Sequence, residues 1–475
     1  MTAATITTNV KSDMKQKALL LRRAGFGARH DELSALGARS YADLVEDLLH
    51  PERFPEVQDD EIRRYYVELN NFDSYVPWQA HWIYRMVNTR RPLEEKVALF
   101  WHHVFATSSG KSEHGPSGAA QIDMFRRVGL RDLRTIYLEL ARDPAMIFWL
   151  DNCENHNGEP NENWGRELLE LFSMGIGNYT EQDIKMASRA FTGWTFTQPL
   201  PLDPFGRYTS RFQYVPADHD AGTKTFLGQS GNFNGEDIID IIVAQPATYQ
   251  FIARHMYNFF VADEPQVPAW SIVPPQDPAA VENLARALRE TKGDIRATLR
   301  VLFNSDFFKN SDGKRVKSPV ELVVGTVKLA GTHRFPEPGL ADFAVAVSVM
   351  GQALMTPPTV EGWHTGKEWI DGGTLNERVN FAVNQLSDPQ KPGIKKVIES
   401  LGAGGGRLSP ERFVDRCLEL AGPLTVQIET RAGLIEHARK GGDVAFDTGK
   451  DRQESAARTV RMLQALVSSV EYQFN

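Results

Sequence analysis

Residues Asp151–Trp194 read DNCENHNGEPNENWGRELLELFSMGIGNYTEQDIKMASRAFTGW. Within this stretch Leu168, Leu171 and Phe172 recur at helical spacing, so Asn161–Phe172 reads as a helix with one apolar stripe. Gly175 and Gly177 close it. Thr180, followed three residues later by Asp183, is the start signal of a second helix running towards Trp194. A loop, a helix, a tight turn and a second helix follow, carrying an unusual density of carboxylates, amides and indoles.

Outward from this stretch the helical pattern continues in both directions. KALLLRRAGFGA (17–28) is a short helix stopped by Gly25 and Gly27, with Arg22 and Arg23 expected on a solvated face and pairing with buried carboxylates as the alternative. VPWQAHWIYRMVNTR (76–90) and PLEEKVALFWHHVFATS (92–108) are long and apolar enough to be buried helices, the second opened by Pro92 in its first turn. Asp143-Pro144 breaks the helical run at 130–152. Residues 195–218 change character: prolines, aromatics and short alternation predict a hairpin or a pair of short strands. Strongly amphipathic helices resume after Gly228, interrupted by the Pro/Gly/Trp loop MTPPTVEGWHTGKEWIDGGT (355–374). The expected fold is mostly α, a large helical bundle-like single unit with a small β-hairpin insert around residues 195–228. Its expected divisions are a disordered N-terminus (1–15), a helical core (16–385) and a C-terminal helical extension packed on that core (386–475).

The 475 residues carry a net charge of −8, which argues against a basic nucleic-acid-binding face. The two cysteines, Cys153 and Cys417, form neither a disulfide framework nor a CxxC pair, so reduced thiols are expected. No apolar run reaches the roughly 18 residues of a membrane span, and MTAATITTNVKSDMKQ lacks the features of a signal peptide. As written, the chain is expected in the cytoplasm, or in the periplasm or outside if a leader has been removed. GxSxG, Walker A, HExxH and strand-bound GxGxxG patterns are all absent from the sequence, which leaves serine-hydrolase, nucleotide and dinucleotide readings without support.

Several of these segments carry a family resemblance. FWHHVFATS, GLRDL, DPAMIFWLDN, PNENWGRELLELFSMGIGNYTEQDI, RAFTGW, HDAGTKTFLG and PPTVEGW together resemble the bacterial family DUF1800 over roughly residues 15–385. The resemblance implies a mostly helical bacterial protein, many of whose relatives are exported. It also implies a possible partner of the DUF1501 type, a family similar to the alkaline phosphatase and sulfatase superfamily. One departure is visible. In Trp101-His102-His103-Val104-Phe105 the second histidine stands one place earlier than in the family pattern.

Candidate chemistry centres on the first helix. Glu162 and Arg166 are four apart, as are Asn163 and Glu167, so each pair shares a face. Glu167 sits beside Leu168, where burial raises its pKa and Arg166 lowers it, the tension a general acid or base uses. An equally physical reading makes Asn161 and Glu162 helix caps and Glu162–Arg166 a surface pair. The loop Asp151–Glu159 offers oxygen ligands for a hard cation, although Asx side chains more often bond their own backbone. His219 with Asp220, followed by Gly222 and Lys224, is either an opposing acid–base pair or a tight turn. His102 and His103 point to different faces of their helix, so one at most is expected at a given site. Trp194 and Trp363 are candidate stacking walls.

The leading expectation is a hydrolase acting on a carbohydrate or similar polar substrate, with Glu162, Glu167, Arg166, His219 and Asp220 catalytic and Asn163, Trp194, Lys224 and Trp363 binding substrate. No cofactor is required for this. Two carboxyls five residues apart on one helix point about 140° from each other, a poor glycosidase pair without a partner from elsewhere. The alternatives are a metal-dependent hydrolase or oxidoreductase, with a divalent ion on His102, Glu167 and His219, and a non-catalytic scaffold for a DUF1501-type partner.

Overall fold

A computed structural model describes residues 3–66, 74–112, 114–197, 210–403 and 406–475. The helix Pro92–Val104 lies near the centre because almost no face of it is polar: Leu93, Val97, Leu99, Phe100, Trp101 and Val104 are buried on successive sides. It packs on Gly115–Val128, and Trp101 Nε1 donates to Gly129 O at 2.9 Å. Its two buried charges are compensated in place. Glu95 accepts from Trp82 Nε1 at 2.9 Å and pairs with Arg85 at 3.0 Å and Arg126 at 2.9 Å. Lys96 bonds Glu321, which Arg315 also holds at 2.8 Å.

Around this helix the chain stacks further helices. Val76–Asn88 packs on Leu340–Val349 and on Pro319–Ala330; Pro246–Phe260 packs on Pro278–Glu290. One apolar core runs through these layers, from Leu20 to Tyr472. The C-terminal helices are continuous with it: Gly372–Gln385 packs on both Pro319–Ala330 and Gly449–Val467. The result is a mostly helical single unit with small β-hairpins, as the hydrophobic periodicity predicts. None of the described helices is long and apolar enough to cross a membrane.

The β insert forms where alternation predicts it. Trp194–Thr197 pairs antiparallel with Arg211–Tyr214, and Lys224–Phe226 with Gln229–Gly231. The part of the insert at 198–209 lies outside the described residues. A third two-stranded pair, Arg407–Leu408 with Val444–Ala445, was not expected; strands of two residues are too short to show a period.

The first helix runs Ala3–Arg23. Arg23 is fully buried, where a solvated helix face was expected. Its guanidinium donates to Phe260 O at 3.2 Å, Val261 O at 3.0 Å, Ser311 O at 3.0 Å and Asn475 O at 2.8 Å, so it ties together three segments distant in sequence.

Candidate functional site

The loop before the Asn163 helix is held by its own amides. Asn152 Nδ2 donates to Trp194 O at 2.9 Å, and Asn155 Nδ2 to Ser188 O at 2.8 Å. The acceptor side is also used: Asn155 Oδ1 takes the Asn161 N–H at 2.9 Å and Asn161 Oδ1 the Asn163 N–H at 2.9 Å. These bonds staple the loop to the helix Glu181–Ala190 and occupy the amide oxygens of Asn155 and Asn161. That second helix opens with the expected capping box of Thr180 and Asp183.

The predicted first helix is α only over Asn163–Glu167; Leu168–Ser173 is π-helical. Met174 N donates to Leu169 O at 3.1 Å, and Ser173 Oγ to Leu168 O at 2.5 Å. Gly165 lets this helix approach its neighbour: a Cβ there would lie 2.4 Å from Ser188 Oγ and 3.1 Å from Ile184 O. The π-turn changes the angular relation between Glu167 and the residues after it.

Glu162 and Arg166 form the expected i,i+4 pair at 3.2 Å, and Arg166 also binds Glu181 at 2.9 Å. These three make a surface ion network. Asn163 is exposed, with Nδ2 3.4 Å from Asp151 Oδ2. Glu167 differs from all of them. It is partly buried, and its carboxyl is pushed up to about 7 by burial first, then by Glu170, with Arg166 opposing and Glu361 adding to the rise. Glu170 accepts the Tyr179 hydroxyl at 3.0 Å.

Glu170 and Glu361 line a cleft of about 120 Å³ walled by Phe251 and Trp270. Behind that wall stands His255, its ring 4.7 Å from Phe251 and 4.6 Å from Trp270. Its Nε2 is buried without a hydrogen-bond partner, and burial holds it well below the usual imidazole range, with His103 and Arg254 adding to the effect. Arg254 stacks over Trp270 at 4.6 Å and is neutralised by Glu264 at 2.7 Å.

Two residues after Glu361, Trp363 is buried. Gly362 between them has φ +89, and a Cβ on it would lie 2.6 Å from His103 O, so the loop rests directly on the central helix. The Trp363 ring lies parallel to His103 at 6.2 Å and edge-on to His102 at 5.2 Å. Both histidines thus reach one indole; a ring as wide as indole spans the angle between adjacent helical positions. His102 Nε2 accepts the Met355 N–H at 3.1 Å, which puts its proton on the unpartnered Nδ1. Burial lowers His102 to about 3 and His103 to about 4, so both rings are neutral.

The HDAGTK segment closes on itself. Asp220 binds Arg189 at 2.6 and 3.1 Å and accepts the Gly222 N–H at 2.8 Å. Its own N–H donates to Thr192 Oγ1 at 2.8 Å. Lys224 is buried, its ammonium on Asp220 O and, at 3.1 Å, Gly222 O. His219 Nδ1 is 3.1 Å from Thr192 O and its ring meets Tyr214. Trp194 is buried between Phe191 and Phe212, with Nε1 on Asn234 Oδ1 at 2.8 Å. No hydrogen bond, ion pair or ring contact joins Glu167 to His219, Asp220, Lys224 or Trp194. Glu167 is instead grouped with Glu170 and Glu361. Among the described residues no three His, Cys, Asp or Glu side chains are set to hold a metal ion, so His102, Glu167 and His219 do not assemble as ligands.

The family model described as a protein of unknown function (DUF1800) matches residues 19–474. The chain belongs to the DUF1800 family. For this DUF1800 protein the match runs well past residue 385 and takes in the C-terminal helices, so the family region is nearly the whole chain. Comparison with curated proteins and with solved structures gave no match.

Glu170, Glu361, Phe251, Trp270 and His255 were not singled out from sequence. Glu170 lies three residues after Glu167, and Glu361 belongs to the same EGW element as Trp363, so both were within reach of a wider reading of those motifs. His255 sits in an apolar helix that carries no local signal of a site.

Proposed function

We propose that this protein is a hydrolase acting on a carbohydrate or similarly polar substrate, with Glu167 as the proton-transferring group. The observation that carries this reading is a half-buried carboxyl with its pKa near 7, raised in part by Glu170 and Glu361, which themselves line an aromatic-walled cleft. A carboxyl tuned to neutral pH suits general acid–base work, and such tuning is concentrated at active sites. Glu361 comes from a different segment of chain, which supplies what a same-helix pair lacks, a second carboxylate approaching from another direction. Phe251 and Trp270 offer flat apolar faces of the kind that pack against a sugar ring. Glu162, Arg166 and the HDAGTK turn then support the architecture and stand outside the reacting group.

The test is hydrolysis by the purified chain of a panel of oligosaccharides and chromogenic glycosides, with Glu167→Gln beside it. We expect turnover to drop by about 10²–10⁴-fold in the variant. A substrate hydrolysed equally fast by Glu167→Gln would remove Glu167 from the mechanism. No turnover of any panel member would count against the substrate class.

A non-catalytic reading has one observation in its favour: the polar loop, the Glu162–Arg166–Glu181 network and the HDAGTK turn all satisfy one another internally. Capture of a DUF1501-type partner, lost on charge reversal at Glu162 and Glu181, would support a scaffold.

A further inference from the structure

The loop that carries Glu361 is tied to the central helix through an imidazole. Met355 donates its backbone N–H to His102 Nε2 at 3.1 Å. Met355 is buried and sits at φ +62, a left-handed conformation that a residue with a side chain rarely adopts. Its buried N–H depends on that acceptor, and an imidazole nitrogen accepts only while it is unprotonated.

Two indoles flank the His102 ring, Trp82 edge-on at 5.7 Å and Trp363 edge-on at 5.2 Å. Trp82 is pinned, its Nε1 donating to Glu95 at 2.9 Å. Trp363 Nε1 is buried without a hydrogen-bond partner, and Pro358, Thr359 and Glu361 before it are exposed. Trp363 is therefore the wall that can move. The other end of the segment is hinged by bonds that involve no imidazole: Leu354 O accepts from Gln79 Nε2 at 2.5 Å and Met355 O from Ser109 N at 2.9 Å.

Among the described residues no carboxylate pairs with His102, and only His103 acts on its ring electrostatically. The charged groups on the helices around it have partners of their own. Arg85 and Arg126 hold Glu95, Asp123 pairs with Arg126, Arg127 with Glu139, His81 with Asp59 and Lys96 with Glu321. On the loop, Glu361 acts on Glu167 and His364 pairs with Glu368. His103 meets the cation of Arg315 and acts on His255. A charge placed on His102 thus has nothing to neutralise it and must reach water.

We propose that His102 is an acid-operated latch on segment 356–363. Protonation at Nε2 puts a second donor against the Met355 N–H, and the new cation reaches water by displacing Trp363, which swings the segment and Glu361 away from the central helix. His103, stacked on the same indole, is uncovered by the same movement. The closed form holds its proton less tightly than the open form, whose ring meets water. Opening is therefore favoured as pH falls below the ordinary 6.5 and levels off near 3. The latch does not depend on the hydrolase reading.

The test is amide hydrogen exchange of the full chain at pH 7.5 and pH 5, read by mass spectrometry and corrected for the intrinsic pH dependence of exchange. Exchange across 356–364 is expected to rise about 30-fold or more at the lower pH, while Val76–Asn88 stays as it was. His102→Gln keeps an amide oxygen for the Met355 N–H and cannot titrate, so it should cut the rise about tenfold or more. In His103→Gln the rise should persist, reduced; its loss there moves the role to His103 and overturns the assignment. Equal corrected exchange at the two pH values overturns the proposal, as does a uniform rise that includes Val76–Asn88. A rise undiminished in His102→Gln overturns it too. If His102→Gln fails to fold, the parent and His103→Gln together decide.

Discussion

Glu167 owes its character to its surroundings. Its folded-state pKa is raised from 4.5 to about 7, so the native protein holds this proton more tightly than the unfolded chain. Between those values the unfolded chain has already released its proton. This group therefore favours folding most below pH 4.5, and its contribution is lost as pH rises towards 7. Urea denaturation at pH 5 and pH 8 should show Glu167→Gln relieving a pH-dependent loss on the order of 1–2 kcal/mol, the partial exposure reducing the full value. An identical pH profile in parent and variant would show that Glu167 titrates normally. Gly165 offers a second test. Gly165→Ala drives a methyl against Ser188 Oγ and should cost about 1–3 kcal/mol in chemical denaturation. Ser188→Ala in the same chain should recover part of it, because it removes the closest atom. At this scale sequence spacing was informative about local relations only. The Glu162–Arg166 pair lies within one turn and was legible. The convergence of Glu167 with Glu361 joins segments almost two hundred residues apart, and no local pattern encodes it.

Helices and caps were legible because they are written within a few residues. The Thr180–Asp183 box and the Asp143-Pro144 break each depend on a side chain and a backbone group three or fewer positions apart. The π-turn at Leu168–Ser173 was not legible, since over six residues its apolar positions are compatible with an ordinary helix. The HDAGTK element was legible as a motif and ambiguous in role. In the structure Asp220 and Lys224 hold the hairpin to Arg189 and to the turn itself. Asp220→Ala should therefore loosen residues 215–231, raising their amide hydrogen exchange by about tenfold, a local opening of roughly 1.4 kcal/mol. Any activity assigned to Glu167 should survive this change. Loss of activity with unchanged exchange would instead return Asp220 to the reaction.

Across the whole molecule, one buried guanidinium does what no single helix pair can. Arg23 serves four backbone oxygens from three separate regions of chain, with the Glu321 and Asp263 carboxylates near enough to offset part of its charge. Arg23→Met should leave buried carbonyls without donors and cost about 3–5 kcal/mol, read as a lower thermal midpoint and faster proteolysis. A variant as stable as the parent would mean that water reaches these oxygens. The same bonds set an order on folding during synthesis. Residue 475 is made 452 positions after Arg23. At about 5–20 residues per second, that interval is roughly 20–90 s. Throughout it the first helix can form but cannot complete its seat.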